Sequence, residues 1–362
     1  MLAAFTLSPI YIFPSGLPQP ADFVYMLWVA LAFICVAYSK DSGFFLRGGR
    51  RESLFLGVLV FWVLVVSMAN ALYHQDVEIA FPALFYIFNF LVFVGFIICA
   101  NMFGDNFKKY LVWFLCLTGG VLLLFLILGF IPGAARQVAG FNNPNQLGYF
   151  SLLLGACGVL LVDRGKSILP LIWMIFVSLL GVLASSSLSS LGAFGLVVLG
   201  AALKFPGVFI SKKIVTVVFS VLLILFSLTH FGTTDQLSQQ WETRLNVVER
   251  KLDNVGESRG YTRIIENPEY LFLGAGERGR WRFGSHHSHE MHSSLGTILF
   301  SYGFIGLALF LFFLLACFRR AHFYSISIFM APMAYSLTHQ GLRTTFFWVL
   351  LALIVIYGRK KS

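Results

Sequence analysis

Eleven apolar runs, each close to the length that carries an α-helix across a bilayer, follow one another along this chain. They cover about 22–38, 54–72, 79–100, 110–131, 147–162, 168–184, 188–203, 214–231, 293–316, 323–338 and 344–358. Roughly 17–25 residues span a hydrocarbon core of about 30 Å, and helices satisfy their own backbone there. The pattern predicts an all-α polytopic membrane protein. Its composition agrees: 58% hydrophobic, 12% charged, with a mean hydropathy of +0.82, beyond the range of an ordinary soluble domain. A weaker opening stretch, "MLAAFTLSPIYIF", is short and carries Pro9 with Pro14 close behind it. Counting it gives about 12 transmembrane helices. It lacks the basic start of a signal peptide.

Charge sets the expected orientation. Sixteen basic residues, among them Lys40, Arg51, Lys108, Arg164, Lys204, Arg319 and Arg359, fall on one side of such a topology. The short loops of the other side keep only Arg136 and Arg343. The positive-inside rule then predicts cytoplasmic N- and C-termini. The net charge of +10 is by this reading topological, and a nucleic-acid partner is not expected. All five cysteines (Cys35, Cys99, Cys116, Cys157, Cys317) lie in or beside apolar runs, which suits small buried hydrophobes and indicates no disulfide framework.

The remaining charge is concentrated in one segment. Residues 232–292 hold nine acids and eight Lys or Arg, 17 of the chain's 42 charged residues. The expected organisation is residues 1–231 as nine transmembrane helices with short loops, 232–292 as one long outward-facing loop, and 293–362 as three further helices. Within the loop, Leu237, Trp241, Leu245, Val248 and Leu252 recur at helical spacing and predict an amphipathic helix. A second short helix is expected over Ser258–Glu266, stopped at Asn267-Pro268. Arg259 and Arg263, four apart, would share its face. The spans carry essentially no ionisable side chain, so chemistry is expected at the outer membrane face.

The stretch "GSHHSHEMHSSLG" gathers His286, His287, His289 and His292, four of the eight histidines. A His-Glu-x-x-His zinc motif is one residue too long for it, and no metal site is expected. His292 differs from its neighbours because it opens an apolar span, where an imidazole with a pKa near working pH suits a general base. Arg136 precedes the turn "FNNPNQLG" and Arg343 lies in "THQGLRTTFFW", both against the charge bias. Arg136, Arg259, Arg263 and Arg343 are therefore expected to converge with His292, since guanidinium forks bind phosphate oxygens in a partly dry site. Arg278, Arg280 and Arg282 are expected to pair with loop acids or lipid phosphates. "GAGERG" is expected to be a turn and "ASSSLSSLGAFG" a surface for close helix packing.

Four patterns, "RQVAGFNNPNQLG", "ESRGYTRIIENPEYLFLGAGE", "HSSLGTILFSYGFIGL" and "THQGLRTTFFW", in this order and around one long outer loop, resemble the O-antigen polymerase and ligase superfamily. The resemblance implies a GT-C-like glycosyltransferase of the bacterial inner membrane that works at the periplasmic face on undecaprenyl-diphosphate-linked oligosaccharide. On it, Arg136, Arg259 and His292 are the expected catalytic residues, with Arg343 a weaker match. Arg263, Arg343, Asn142 and Asn145 are the expected substrate-binding residues. No cofactor is implied; besides membrane lipid, the implied partners are a chain-length regulator and a flippase. Many members carry an arginine in the Ser-rich segment; this chain has none there, so no catalytic role is expected of that segment. The compact chain, its 40 phenylalanines and the wording of the first and third patterns resemble the polymerases more than the ligases. The competing classes are a transporter of the lipid-linked intermediate and a non-catalytic chain-length scaffold.

Overall fold

The computed structural model describes residues 1–38, 48–131, 134, 136–209, 260–286 and 290–360. The expected span at 214–231, the amphipathic helix after it, and Arg259, His287 and His289 lie outside the described residues.

Among the described residues the chain is helical and forms no strand. Its main helices are α1 (Leu2–Leu7), α2 (Pro20–Ala37), α3 (Arg50–His74), α4 (Phe81–Leu128), α5 (Pro144–Leu161), α6 (Leu169–Ser185), α7 (Leu188–Lys204), α8 (Ser294–Phe318), α9 (Phe323–Ser336) and α10 (Thr345–Tyr357). Five described helical stretches are long and apolar enough to cross a membrane. α5 and α10 form the centre, buried along nearly their whole length. Around them the other helices turn apolar side chains such as Leu54, Phe61, Trp113 and Leu315 outward. Such a surface suits hydrocarbon as its solvent.

Local chemistry sets several helix ends. α5 starts where Asn143 accepts a hydrogen bond from the Gln146 amide at 3.0 Å and Pro144 takes the first helical position. α4 is two helices joined at Gly104, whose φ of 53° and ψ of −131° interrupt the helical backbone. The halves coincide with the apolar runs at 79–100 and 110–131. The opening stretch corrects the expected count: only the six residues of α1 are helical there. At 1.5 Å per residue that is about 9 Å, far short of a crossing. Instead Phe5 is buried among Tyr25, Phe96, Phe114 and Phe346.

The two ends of the bundle differ in charge. At one, Lys108 pairs with Asp163, Arg359 pairs with Glu52, and Lys204 Nζ donates to Val159 O and Leu160 O at the end of α5. At the other, Arg136, Asn145, Ser185, Ser294 and the α9–α10 connection meet. The split follows the charge segregation of the sequence.

α8 departs from the expected continuous span at 293–316. It breaks at Gly303, which takes φ 71° and ψ −176°. The break exposes three carbonyls, and each finds a donor: Ala275 N reaches Phe300 O at 2.9 Å, Gly276 N reaches Ser301 O at 2.8 Å, and Trp62 Nε1 reaches Tyr302 O at 2.8 Å. A backbone break inside a bundle persists only when its polar groups are satisfied in this way. A Cβ at Gly303 would stand 2.1 Å from Phe272 O. We expect Gly303→Ala to cost about 3 kcal/mol, since both the dihedrals and the backbone clash oppose it. Gly57→Ala, whose Cβ would meet only the Phe90 ring at 3.7 Å, should be neutral or mildly stabilising. Apparent melting temperatures in detergent compare the two.

Candidate functional site

The loop that docks on the α8 break positions the first part of the site. Gly274, at φ 100°, lets the chain pass so close that a Cβ would lie 2.3 Å from Ser301 O. Three residues later Glu277 enters the bundle and is 4% exposed. Its Oε1 accepts from Tyr86 Oη at 2.9 Å and from Tyr302 Oη at 3.2 Å, while Oε2 accepts from Arg343 Nη2 at 2.9 Å. Arg343 Nη1 reaches both oxygens of Glu290 at 3.2 Å. Burial alone would lower the pKa of Arg343; Glu277 and Glu290 outweigh burial and raise it. Its charge is fixed at any working pH.

These groups line a cleft that also takes in Arg263, Phe283, Thr297 and Gln340. Arg263 follows Thr262 in a short helix, Thr262–Glu266, that stops at Asn267-Pro268 as the sequence predicts but starts later than the expected Ser258, because Gly260 turns at φ 75° and Tyr261 stands outside the helix as its N-cap. Its guanidinium is buried and lies 5.3 Å from the Phe283 ring centroid and 6.0 Å from that of Phe300, which suits a cation over aromatic faces. The rim is held by Arg282, which donates to Ala275 O at 2.7 Å and Gly279 O at 2.9 Å. The Trp281 indole donates to Asp76 at 3.1 Å and holds that carboxyl below its ordinary range.

A second cluster adjoins the first across the α9–α10 connection. Arg136 Nε donates to Ser185 O at 2.9 Å and Nη2 to Asn145 Oδ1 at 2.6 Å. The backbone oxygen of Asn145 accepts from Tyr335 Oη at 3.0 Å. Tyr335 stacks between Tyr149, with centroids 4.4 Å apart, and His339, at 4.6 Å. His339 Nδ1 lies 2.9 Å from Thr338 Oγ1 and 3.3 Å from Ser189 Oγ. Ser294, at the start of α8, contacts this connection through Gly341 N at 2.9 Å.

The expected residues thus divide between two neighbouring clusters. Arg263 and Arg343 share the cleft; Arg136 and Asn145 bond directly in the other cluster. His292 is exposed, one residue before the α8 cap Ser293 and one after the buried Met291. Arg343 is committed to two carboxylates. Asn142 turns away from both clusters and donates to Phe13 O at 2.8 Å, bracing the chain before α2. Arg278 lies 3.9 Å from Glu78, while the partners of Arg282 include backbone carbonyls and Asn70. The Ser-rich segment packs closely as expected, a Cβ at Gly148 meeting Ser190 Oγ at 2.5 Å and Ser185 Oγ at 2.6 Å. It also contributes Ser185 O and Ser189 Oγ to the second cluster. Glu277 and His339 are the members that sequence reasoning missed.

The arrangement offers guanidiniums beside hydroxyls, with one imidazole before a helix start, His292, and one in a helix connection, His339, the equipment for binding an anion and moving a proton. A scan against protein-family models finds no match, and a search of curated proteins finds no significant relative.

Proposed function

We propose that this chain is an O-antigen polymerase, a membrane glycosyltransferase that joins oligosaccharide repeat units carried on undecaprenyl diphosphate. The observation that carries the reading is the gathering of Arg136, Arg263 and Arg343 at one end of an apolar bundle, beside the segment that bears His292. The end opposite is the more basic one, so the positive-inside rule puts the arginine clusters at the periplasmic face.

In the reaction the acceptor sugar hydroxyl attacks the anomeric carbon of the donor, the carbon–oxygen bond to the diphosphate breaks, and the diphosphate leaves with the bonding pair. His292 takes the hydroxyl proton. Arg136 donates to Ser185 O and Asn145 Oδ1, which fix the geometry of its guanidinium. Positioned cations stabilise charge developing on the diphosphate most where water is excluded. Arg259 and Arg263 would add to that field, and no cofactor enters the scheme.

We expect His292→Ala to lower polymer synthesis on the order of 10²–10⁴-fold with unchanged membrane abundance, and His286→Ala and His287→Ala to be nearly silent. The check is an electrophoretic ladder of lipopolysaccharide from a strain lacking this chain, complemented with each variant. Core carrying a single repeat, with the ladder returned by wild type alone, supports the polymerase. Core without any repeat, while polymer accumulates on the carrier lipid, would make the chain a ligase instead.

One observation favours a transporter as the second reading: discontinuous helices such as α8 are where carriers commonly build their substrate sites. On that reading His292→Ala leaves polymer synthesis intact, while Arg136→Ala blocks movement of the lipid-linked intermediate.

A further inference from the structure

On the outside of the bundle, at the basic end opposite both arginine clusters, α3 and α8 leave a groove of about 720 Å³ counting its open side. Its apolar lining includes Phe55, Phe312, Leu315 and Phe318, with Phe312 55% and Leu315 67% exposed. Two guanidiniums stand at its end. Arg51 is the second residue of α3, 5.4 Å from the Phe55 ring centroid, and Arg319 directly follows the last turn of α8. The neighbouring carboxylate, Glu52, is buried and holds Arg359 at 2.6 Å. No described carboxylate pairs with Arg51 or Arg319. An apolar trough ending in two guanidiniums without a partner among the described carboxylates matches a molecule with an acyl chain at one end and a phosphodiester at the other.

We infer that the groove is a binding site for an anionic phospholipid of the surrounding membrane. One acyl chain lies along Phe312 and Leu315, and the headgroup phosphate sits between Arg51 and Arg319. Guanidinium forks suit a phosphate in this setting, and basic pockets between membrane helices take such headgroups. The site is independent of the chemistry at the other end.

The test uses the full chain in mild detergent, with retained lipid read by native mass spectrometry after exposure to phosphatidylglycerol, phosphatidylcholine or inorganic phosphate. Each arginine near an anionic headgroup favours it by about fivefold. Wild type should therefore retain phosphatidylglycerol about thirtyfold better than phosphatidylcholine. The preference should fall about fivefold in Arg51→Gln and in Arg319→Gln, and vanish in the double variant. Both side chains are exposed, so the variants should match wild type in monodispersity. Equal retention of the two lipids by wild type, or an unchanged preference in the double variant, overturns the proposal. So does inorganic phosphate displacing the retained phosphatidylglycerol at millimolar concentration, which would mark a free-anion site.

Discussion

Arg136→Ala is expected to abolish the polymer ladder, a loss on the order of 10²–10³-fold in rate, while the protein stays in the membrane at wild-type abundance. The guanidinium spans two acceptors from different elements, Ser185 O at the end of α6 and Asn145 Oδ1 at the start of α5. A lysine has one nitrogen where this geometry uses two, so Arg136→Lys should restore little of the activity. Asn145→Ala removes one tether and leaves the charge, and should therefore lower activity less than Arg136→Ala does. Abundance and melting temperature separate catalysis from folding, because the bond to Ser185 O also ties α6 to the loop before α5. A full-length ladder from Arg136→Gln would remove this residue from the reaction. Loss of both ladder and protein in every variant would assign it to the fold.

Much of the fold is legible in the sequence because burial in a bilayer constrains long runs of residues at once. The helices from 20 to 204 fall close to the apolar runs, and the cations collect at one end as the charge bias requires. Features fixed by single contacts are not legible in this way. Gly303 looks like any glycine in "SYGFIGL", since glycine is common in membrane helices; only the docked loop makes it a break. Glu277 sits in "GAGERG" like a solvated loop acid, and its burial depends on Tyr86 and Tyr302, far away in sequence. His339 stands in the same polar stretch as Arg343, and what places it is stacking on Tyr335. The opening stretch misleads for the opposite reason: it is apolar because α1 packs inside the bundle, not because it crosses. That Arg136, Arg263 and Arg343 share one end of the bundle was readable from the charge pattern. The partition into two clusters was not, because it depends on how the loop folds over α8.

The second large effect should come from Glu277→Ala. In the native chain one carboxylate accepts from two tyrosine hydroxyls and from Arg343, and it is buried. Its removal leaves the two hydroxyls without this acceptor and strips Arg343 of its shorter ion pair. Breaking a buried pair by deleting one partner costs about 3–5 kcal/mol. Arg343 keeps 30% of its side chain exposed and retains Glu290, so the lower end, about 3 kcal/mol, is expected. In a chain of this size that is a fall of about 4 °C in apparent melting temperature. Glu277→Gln keeps an acceptor for the tyrosines and should lose less. Arg343→Gln should couple to Glu277→Gln in a double-mutant cycle, the double variant being more stable than the sum of the singles predicts. Activity separates two roles for the carboxylate. If Glu277 only locks the loop onto α8, residual activity should follow the folded fraction across the three variants. A variant that melts like wild type yet makes no polymer would instead put Glu277 at the reacting atoms, and the cleft rather than the Arg136 cluster would then be the centre of the chemistry.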